Sequence, residues 1–478
     1  MEQDMFFHAQ NALADRAGLV LFTAVRDTAA IRSFTALLQE TSASNPDPLS
    51  LVSLWGAFMA SLVETEGSIP DAAGRGDWYH TLAWLTLWDD NPFTRAAEAH
   101  SGELDFVRFP AVLALAKGDL SRLGRLAAFD LSGLAFYLGM LLRDLEPALD
   151  IPAQAIEAEG RLLGSAAGTY TAIPLLDRLF PFETDWALGI GAFATYIHQN
   201  GAGALGLYRS FRWVGPGHAL KPVLNPDEVR LSSLTGYQEQ RSLIIANTLR
   251  FLQGKPAHNL LLYGDRGTGK SATVKAVCNH YAHQGLRLLE VSKEKLVQLP
   301  AILETLGGRG MRFIIFIDDL SFEKTDDAFT TLKMLLEGGM EVRPSQVVIY
   351  ATSNRRHLVK ELTADRPTTA MAANALATGD MRAFDTMQEQ FSLADRFGLT
   401  VVFSAPGQEE YLAIAEALAR ERGLLTGPAE GETWRTFRAD ALRWERWFNG
   451  RSPRTAVQYV DWIAGGADFP WPPVVEAP

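Results

Sequence analysis

The stretch Leu260-Leu261-Leu262-Tyr263-Gly264-Asp265-Arg266-Gly267-Thr268-Gly269-Lys270-Ser271 is a short apolar run that breaks into a glycine-rich loop. Gly264 to Ser271 satisfies G-x-x-x-x-G-K-[ST] in full. Each residue type has a physical reason. Glycines let successive backbone N–H groups turn inward around a polyphosphate. The helix that opens at the end of the loop adds the positive end of its dipole. Lys270 is placed to reach β- and γ-phosphates, and the Ser271 hydroxyl to hold Mg²⁺. An apolar strand before the loop and an amphipathic helix, Ser271–His283, after it supply the context the motif needs.

Two further strand ends follow. Phe313-Ile314-Ile315-Phe316-Ile317-Asp318-Asp319 is an apolar run ending in two carboxylates. It reads as a buried parallel strand whose C-terminal edge presents acids. Asp318 is placed to hold Mg²⁺ through water, and Asp319 stands where a water-polarising carboxylate is wanted. Val347–Asn354 ends in Thr352-Ser353-Asn354, and the Asn354 amide can orient an attacking water. With Asn259–Tyr263, Arg287–Val291 and Leu399–Phe403, these runs alternate with helical stretches such as Asp326–Glu337. That alternation predicts a parallel α/β sheet. Beyond Pro406 the pattern is helical, over Glu409–Arg422, Trp434–Asn449 and Ser452–Ala464.

Upstream the chain differs. Of its 478 residues, those up to Asn225 hold 15 Lys and Arg against 25 Asp and Glu; the remainder hold 29 against 31. Nearly all the formal charge of -12 therefore lies in the first half. That half reads as helical over Phe34–Thr41, Leu49–Glu64, Trp78–Trp88 and Asp119–Leu145. Trp55, Trp78, Trp84 and Trp88 read as core, and His8, His80, His100, His198 and His218 lack metal-ligand spacing. A Gly/Pro-rich stretch from Gly215 to Pro226 reads as a linker. The single cysteine, Cys278, excludes intrachain disulfides and fits a reducing cytoplasm. Acidic residues near Met1 do not suit a secretory signal. The longest apolar run, near Leu131–Leu142, is short of the roughly 20 residues a spanning helix needs, so no membrane association is expected.

Together these motifs resemble the AAA+ branch of P-loop ATPases, over about residues 230–465. Gly264–Ser271 resembles the Walker A loop, Ile314–Asp319 Walker B, and Asn354 the first sensor. Ser392-Leu393-Ala394-Asp395-Arg396-Phe397-Gly398 resembles the arginine-finger segment, making Arg396 the candidate finger acting on a neighbour's ATP. Ser452-Pro453-Arg454-Thr455-Ala456 resembles the second-sensor helix, with Arg454 toward the γ-phosphate, and Leu234-Thr235-Gly236-Tyr237 the adenine-side segment. More narrowly, Ile317–Glu323, Thr352–Leu358 and the Asp395–Gly398 turn look like a bacterial family of AAA+-type ATPases classed as a domain of unknown function.

The resemblance implies ATP and Mg²⁺ as ligands. With the charge shift and helical patterning, the expected organisation is a helical N-terminal domain (1–214), a linker (215–229), an α/β core (230–405, with 363–389 an insertion or mobile helix) and a helical lid (406–478). A trans finger requires a ring or partial ring of copies. One departure is Asp319, where most AAA+ ATPases carry Glu. Its reach is one methylene shorter, Glu323 is a second candidate, and slow hydrolysis is expected. Arg355 and Arg356 compete with Arg396 for the finger role.

Three biological roles stay open: an ATP-driven remodeller or loader of a protein partner met through the N-terminal domain, a nucleic-acid-associated ATPase of helicase-loader or initiator type, and a slow nucleotide-gated scaffold. Between Val291 and Phe313 there is no aromatic residue to form a peptide-threading pore loop. Lys293, Lys295, Arg309 and Arg312 are the candidates for a small basic face.

Overall fold

Among the described residues, seven strands make one sheet: β1 (Ser210–Trp213), β2 (Leu220–Pro222), β3 (Leu260–Gly264), β4 (Leu286–Glu290), β5 (Arg312–Ile317), β6 (Val347–Ser353) and β7 (Leu399–Phe403). The structure is a computed structural model that describes residues 2–67, 78–99, 109–143, 156, 174–182, 184–215, 220–320, 327–337, 344–354, 396–426, 431–448 and 450–466. The strand order is β2-β1-β4-β5-β6-β3-β7. Every pairing is parallel except that of β1 with β2.

The apolar runs explain these strands. β6 is buried along its whole length, and β5 is buried from Phe313 onward. A strand covered on both faces has no need of alternation. Leu260, Leu262, Ile314, Phe316, Val348 and Phe403 share one core with Val274 and Val277 of the helix Lys270–Tyr281. Each such side chain contributes roughly 1.5–3 kcal/mol by leaving water. The strand order also has a consequence for the site. β3 is not adjacent to β5, because β6 runs between them.

The sheet begins earlier than the sequence suggests. β1 lies before the expected linker, and β2 lies within it, at Leu220–Pro222. Phe211 and Trp213 are buried on either side of exposed Arg212. This two-residue period is too brief to stand out beside a Gly/Pro-rich stretch. Pro222 closes the antiparallel pairing at the sheet edge, the place where a strand tolerates proline.

Among the described residues after β7, three helices occupy the stretch expected to form the lid: Gln408–Glu421, Glu432–Trp447 and Pro453–Ala464. Their core includes Tyr411, Trp434, Phe437, Trp444 and Tyr459. The Ser452 hydroxyl caps the last helix by accepting the Thr455 N–H at 3.1 Å. The architecture is that of an α/β P-loop NTPase with helical regions.

By contact the chain divides into two compact units, residues 1–207 with 309–311, and 208–308 with 312–478. The first is helical. Trp55 and Trp78 are in its core, and Trp84 and Trp88 pack against it. The stretch expected to run as one helix from Asp119 breaks into Pro110–Ala127 and Leu131–Arg143. Asp130 starts the second by accepting the Gly133 N–H at 2.8 Å. The fully buried Asp119 carboxylate accepts the N–H groups of Val20, Leu21 and Phe22. His100 and His218 lie outside the described residues.

Arg309–Met311 belongs to this first unit. Arg309 forms ion pairs with the fully buried Glu98 at 2.9 Å and with Asp90 at 3.1 Å, and Gly310 N–H donates to Glu98 at 2.9 Å. Of the candidates for a small basic face, Lys293, Lys295, Arg309 and Arg312, Arg309 is thus paired with two carboxylates. Lys295 donates to the Trp213 carbonyl, and Arg312 donates to the Ser345 carbonyl while lying over the Phe251 ring.

One helix among the described residues, Pro48–Gly67, is long and apolar enough to cross a membrane by length and composition. The pair Pro110–Ala127 and Leu131–Leu142, bent by 46°, passes the same test together. Leu51, Trp55, Phe58 and Leu62 of the first of these face the core of the helical unit.

Candidate functional site: a phosphate loop at the sheet edge

The loop between β3 and the helix Lys270–Tyr281 stands at the C-terminal edge of the sheet, where α/β sheets bind ligands. Gly269 caps that helix in the left-handed region, at φ 87°, with no side chain accepting the first N–H groups. The orphan donors at this end are thus left for an anion.

Lys270 is 5% exposed, and its ammonium donates to the carbonyls of Gly264 at 3.1 Å and Asp265 at 2.7 Å. Burial pushes the Lys270 ammonium down to about 8, opposed by the carboxylates of Asp265, Asp319 and Asp318 and reinforced by Arg454. A cation held this way is poised to exchange carbonyl partners for a more strongly negative one.

The Ser271 hydroxyl donates to the Asp318 carboxylate at 2.6 Å. The loop hydroxyl and the first acid at the end of β5 therefore meet directly. Asp319 adopts φ 52°, a left-handed conformation that costs a non-glycine residue on the order of 1 kcal/mol. Its N–H donates to the Thr352 hydroxyl at 2.9 Å, and its carboxylate accepts from the Asn354 amide at 2.8 Å. Thr352 in turn donates to Asp318 at 2.6 Å. Sequence reasoning singles out Asn354 in this strand tip and passes over Thr352. Only the strand order reveals that β6 separates the loop from the acids.

A cavity of about 610 Å³ joins these groups, lined by Arg266, Gly267, Thr268, Gly269, Lys270, Ser271, Asp318, Asp319, Asn354 and Arg454, with Leu234, Ala272, Pro453 and Val457. A smaller cavity of about 80 Å³ lies beside it, lined in part by Leu234, Tyr237, Ile414, Leu418 and Val457. Gly236 packs on Ile414, and the Tyr237 hydroxyl donates to the Ser404 carbonyl at 2.7 Å. Asp265 accepts the Ala405 N–H at 2.8 Å, so Tyr237 and the loop both grip the chain where it leaves β7 for the lid.

Arg396 is placed apart. It precedes β7, whose first residue Leu399 pairs with Leu260, whereas the phosphate loop lies beyond Gly264, which pairs with Phe403. The length of the strand, roughly 13 Å at about 3.3 Å per residue, separates the two ends. Arg396 does not line the cavity of its own chain. Glu323, Arg355, Arg356, Asp395 and the stretch 363–389 lie outside the described residues.

The donor set suits a nucleoside triphosphate with a divalent cation. A buried lysine and free helix N–H groups face polyphosphate, and a hydroxyl–carboxylate pair offers hard oxygen ligands.

The family model described as "Protein of unknown function (DUF815)" matches residues 207–467, more than half of the chain. The chain belongs to the DUF815 family. The match takes in the whole sheet, the loop and the lid of this DUF815 protein. No curated protein matches it. Among solved structures it is similar to RuvB of Thermotoga maritima. One, titled a Holliday junction branch migration motor, is 16% identical over 50% of this chain and 67% of that one, with a TM-score of 0.31. A single-substitution form of that RuvB is 17% identical over the same shares, with a TM-score of 0.32. The fold of the DUF815 chain rests on its own sheet and loop, since these likenesses are slight.

Proposed function

We propose that this protein binds ATP with Mg²⁺, hydrolyses it slowly, and couples nucleotide state to remodelling or loading of a protein partner. The observation that carries this reading is the 2.6 Å hydrogen bond from Ser271 to Asp318, which brings the phosphate-loop hydroxyl against the strand-end carboxylate. Mg²⁺ would supply charge neutralisation for the bound polyphosphate. Ser271 and Asp318 would hold it, the second through water. Lys270 and the N–H groups of Gly267–Ser271 bind the polyphosphate, with Gly264, Asp265 and Arg266 shaping the loop. Asp319 orients and polarises the attacking water, and Asn354 fixes the Asp319 carboxylate. Arg454 faces the phosphates from the lid, and the Gly236–Tyr237 turn lies on the base side.

Arg396 fits a finger that acts on the nucleotide of a neighbouring copy, because it stands at the opposite end of β7 from its own loop. That role calls for a ring or partial ring. The acidic helical part, residues 1–214, is the surface for a protein partner, and a cytoplasmic setting suits the single buried thiol. The engagement of Arg309, Lys295 and Arg312 in internal bonds counts against a nucleic-acid face there.

Phosphate release by the purified full chain, compared with Lys270→Ala, tests the reading. Release no faster than in that variant would overturn hydrolysis, a wild-type chain that binds no ATP would overturn binding, and equal ATP affinity in the two would overturn the role of Lys270.

A further inference from the structure

We propose that Thr352 is a positioning residue that sets both strand-end aspartates for Mg²⁺ and for water. This role rests on the nucleotide-binding reading and assigns a specific task to a residue it does not otherwise use. Thr352 is 1% exposed, in the second-last position of β6. Its hydroxyl makes two bonds at once. It donates to Asp318 Oδ1 at 2.6 Å and accepts the Asp319 N–H at 2.9 Å. The hydroxyl proton can go to only one acceptor, and the Asp319 N–H occupies a lone pair. The direction of the bond to Asp318 is therefore determined.

The consequences differ for the two acids. Asp318 Oδ1 accepts from Ser271 and from Thr352, both at 2.6 Å. When Ser271 turns to a cation, Thr352 still holds the carboxylate in one rotamer. A ligand fixed before the cation arrives loses less rotamer freedom on binding it. Outer partners of this kind are commonly worth on the order of 10–100-fold in metal affinity or activity. Asp319 is held in its left-handed conformation at φ 52° partly because its N–H has this acceptor. The Leu320 N–H donating to the Thr352 carbonyl, and the Ser353 hydroxyl donating to the Leu320 carbonyl, close the same seam.

The seam exists because β6 lies between β3 and β5. A β-branched residue suits a buried strand, and valine would fill the same space. The choice of threonine over valine therefore adds a hydroxyl and little else.

The test is Thr352→Val and Thr352→Ser in the full chain, with ATP binding measured by calorimetry in Mg²⁺ and in EDTA, alongside kcat and KM. For Thr352→Val we expect EDTA binding unchanged, the gain in affinity from Mg²⁺ reduced by on the order of 10–100-fold, and kcat lowered. Thr352→Ser restores both. If Thr352→Val fails to fold by circular dichroism, Thr352→Ala takes its place. A folded variant without the hydroxyl that keeps the wild-type Mg²⁺ gain overturns this role alone. Equal loss in EDTA and in Mg²⁺ also overturns it, since that marks general damage. Wild-type protein that binds no nucleotide overturns the nucleotide reading and this role with it.

Discussion

The N–H of Arg454, in the first turn of the last lid helix, donates to the carbonyl of Gly267 in the phosphate loop at 3.1 Å. This bond joins the last helix to the backbone of the loop. The two surfaces approach so closely that a Cβ at Gly267 would lie 2.9 Å from Ser452 Oγ and 3.1 Å from Arg454 Cβ.

Gly267→Ala should thus do two things. It strains a backbone at φ 77° and pushes the lid from the loop. We expect a loss of roughly 1–3 kcal/mol in denaturant unfolding and weaker ATP binding. Gly269→Ala is the control, because its φ is 87° yet nothing lies within 4 Å of the added carbon. It should show the backbone cost, about 1 kcal/mol, without displacing the lid.

Lys270 makes binding depend on pH. In the free protein its charge is lost as pH rises through about 8. Polyphosphate restores the charge, so binding near pH 8 should take up a proton, while binding well below that pH should not. Calorimetry in buffers of different ionisation enthalpy reads this directly. Stability has its own sign. The folded value lies below the ordinary 10.5, so between the two the folded state binds fewer protons than the unfolded one. Stability of the ligand-free protein should then rise with pH across that window, relative to Lys270→Met, in thermal melts.

Asp319→Asn should bind ATP with near wild-type affinity and lose hydrolysis by on the order of 10²–10⁴-fold, the usual value of a positioned base. Asp319→Glu is the informative companion. It lengthens the reach toward water but must leave the Asn354 bond at 2.8 Å. A rise in kcat would show that the shorter acid limits turnover.

Arg396→Ala should keep ATP binding and lose turnover by on the order of 10³-fold. Mixing it with Asp319→Asn supplies an intact finger beside an intact acid at one class of interface. Recovery of phosphate release on mixing would establish action between copies. Mixtures as inactive as their components would overturn it.

Much of this site is legible in the amino-acid order alone. The loop motif is local, since its function comes from backbone conformation within eight neighbouring residues, Gly264 to Ser271. The apolar runs of β5 and β6 are visible because strands buried on both faces carry no polar interruption. β1 and β2 escape notice because short edge strands beside a Gly/Pro-rich stretch leave little pattern. The engagement of Arg309 with Glu98 escapes notice because ion pairing joins residues more than two hundred positions apart.

The sequence by itself determined the chemistry on offer: a phosphate loop, a lysine, a hydroxyl, two acids, an amide and two arginines at separate points in the chain. Those assignments follow from residue type and short-range periodicity. The tertiary structure decided which of them meet. Strand order is a matter of long-range pairing, and it placed β6 between the loop strand and the acid strand. From that came the contact of Ser271 with Asp318, the paired hydrogen bonds of Thr352 to both aspartates, and the removal of Arg396 to the far end of β7.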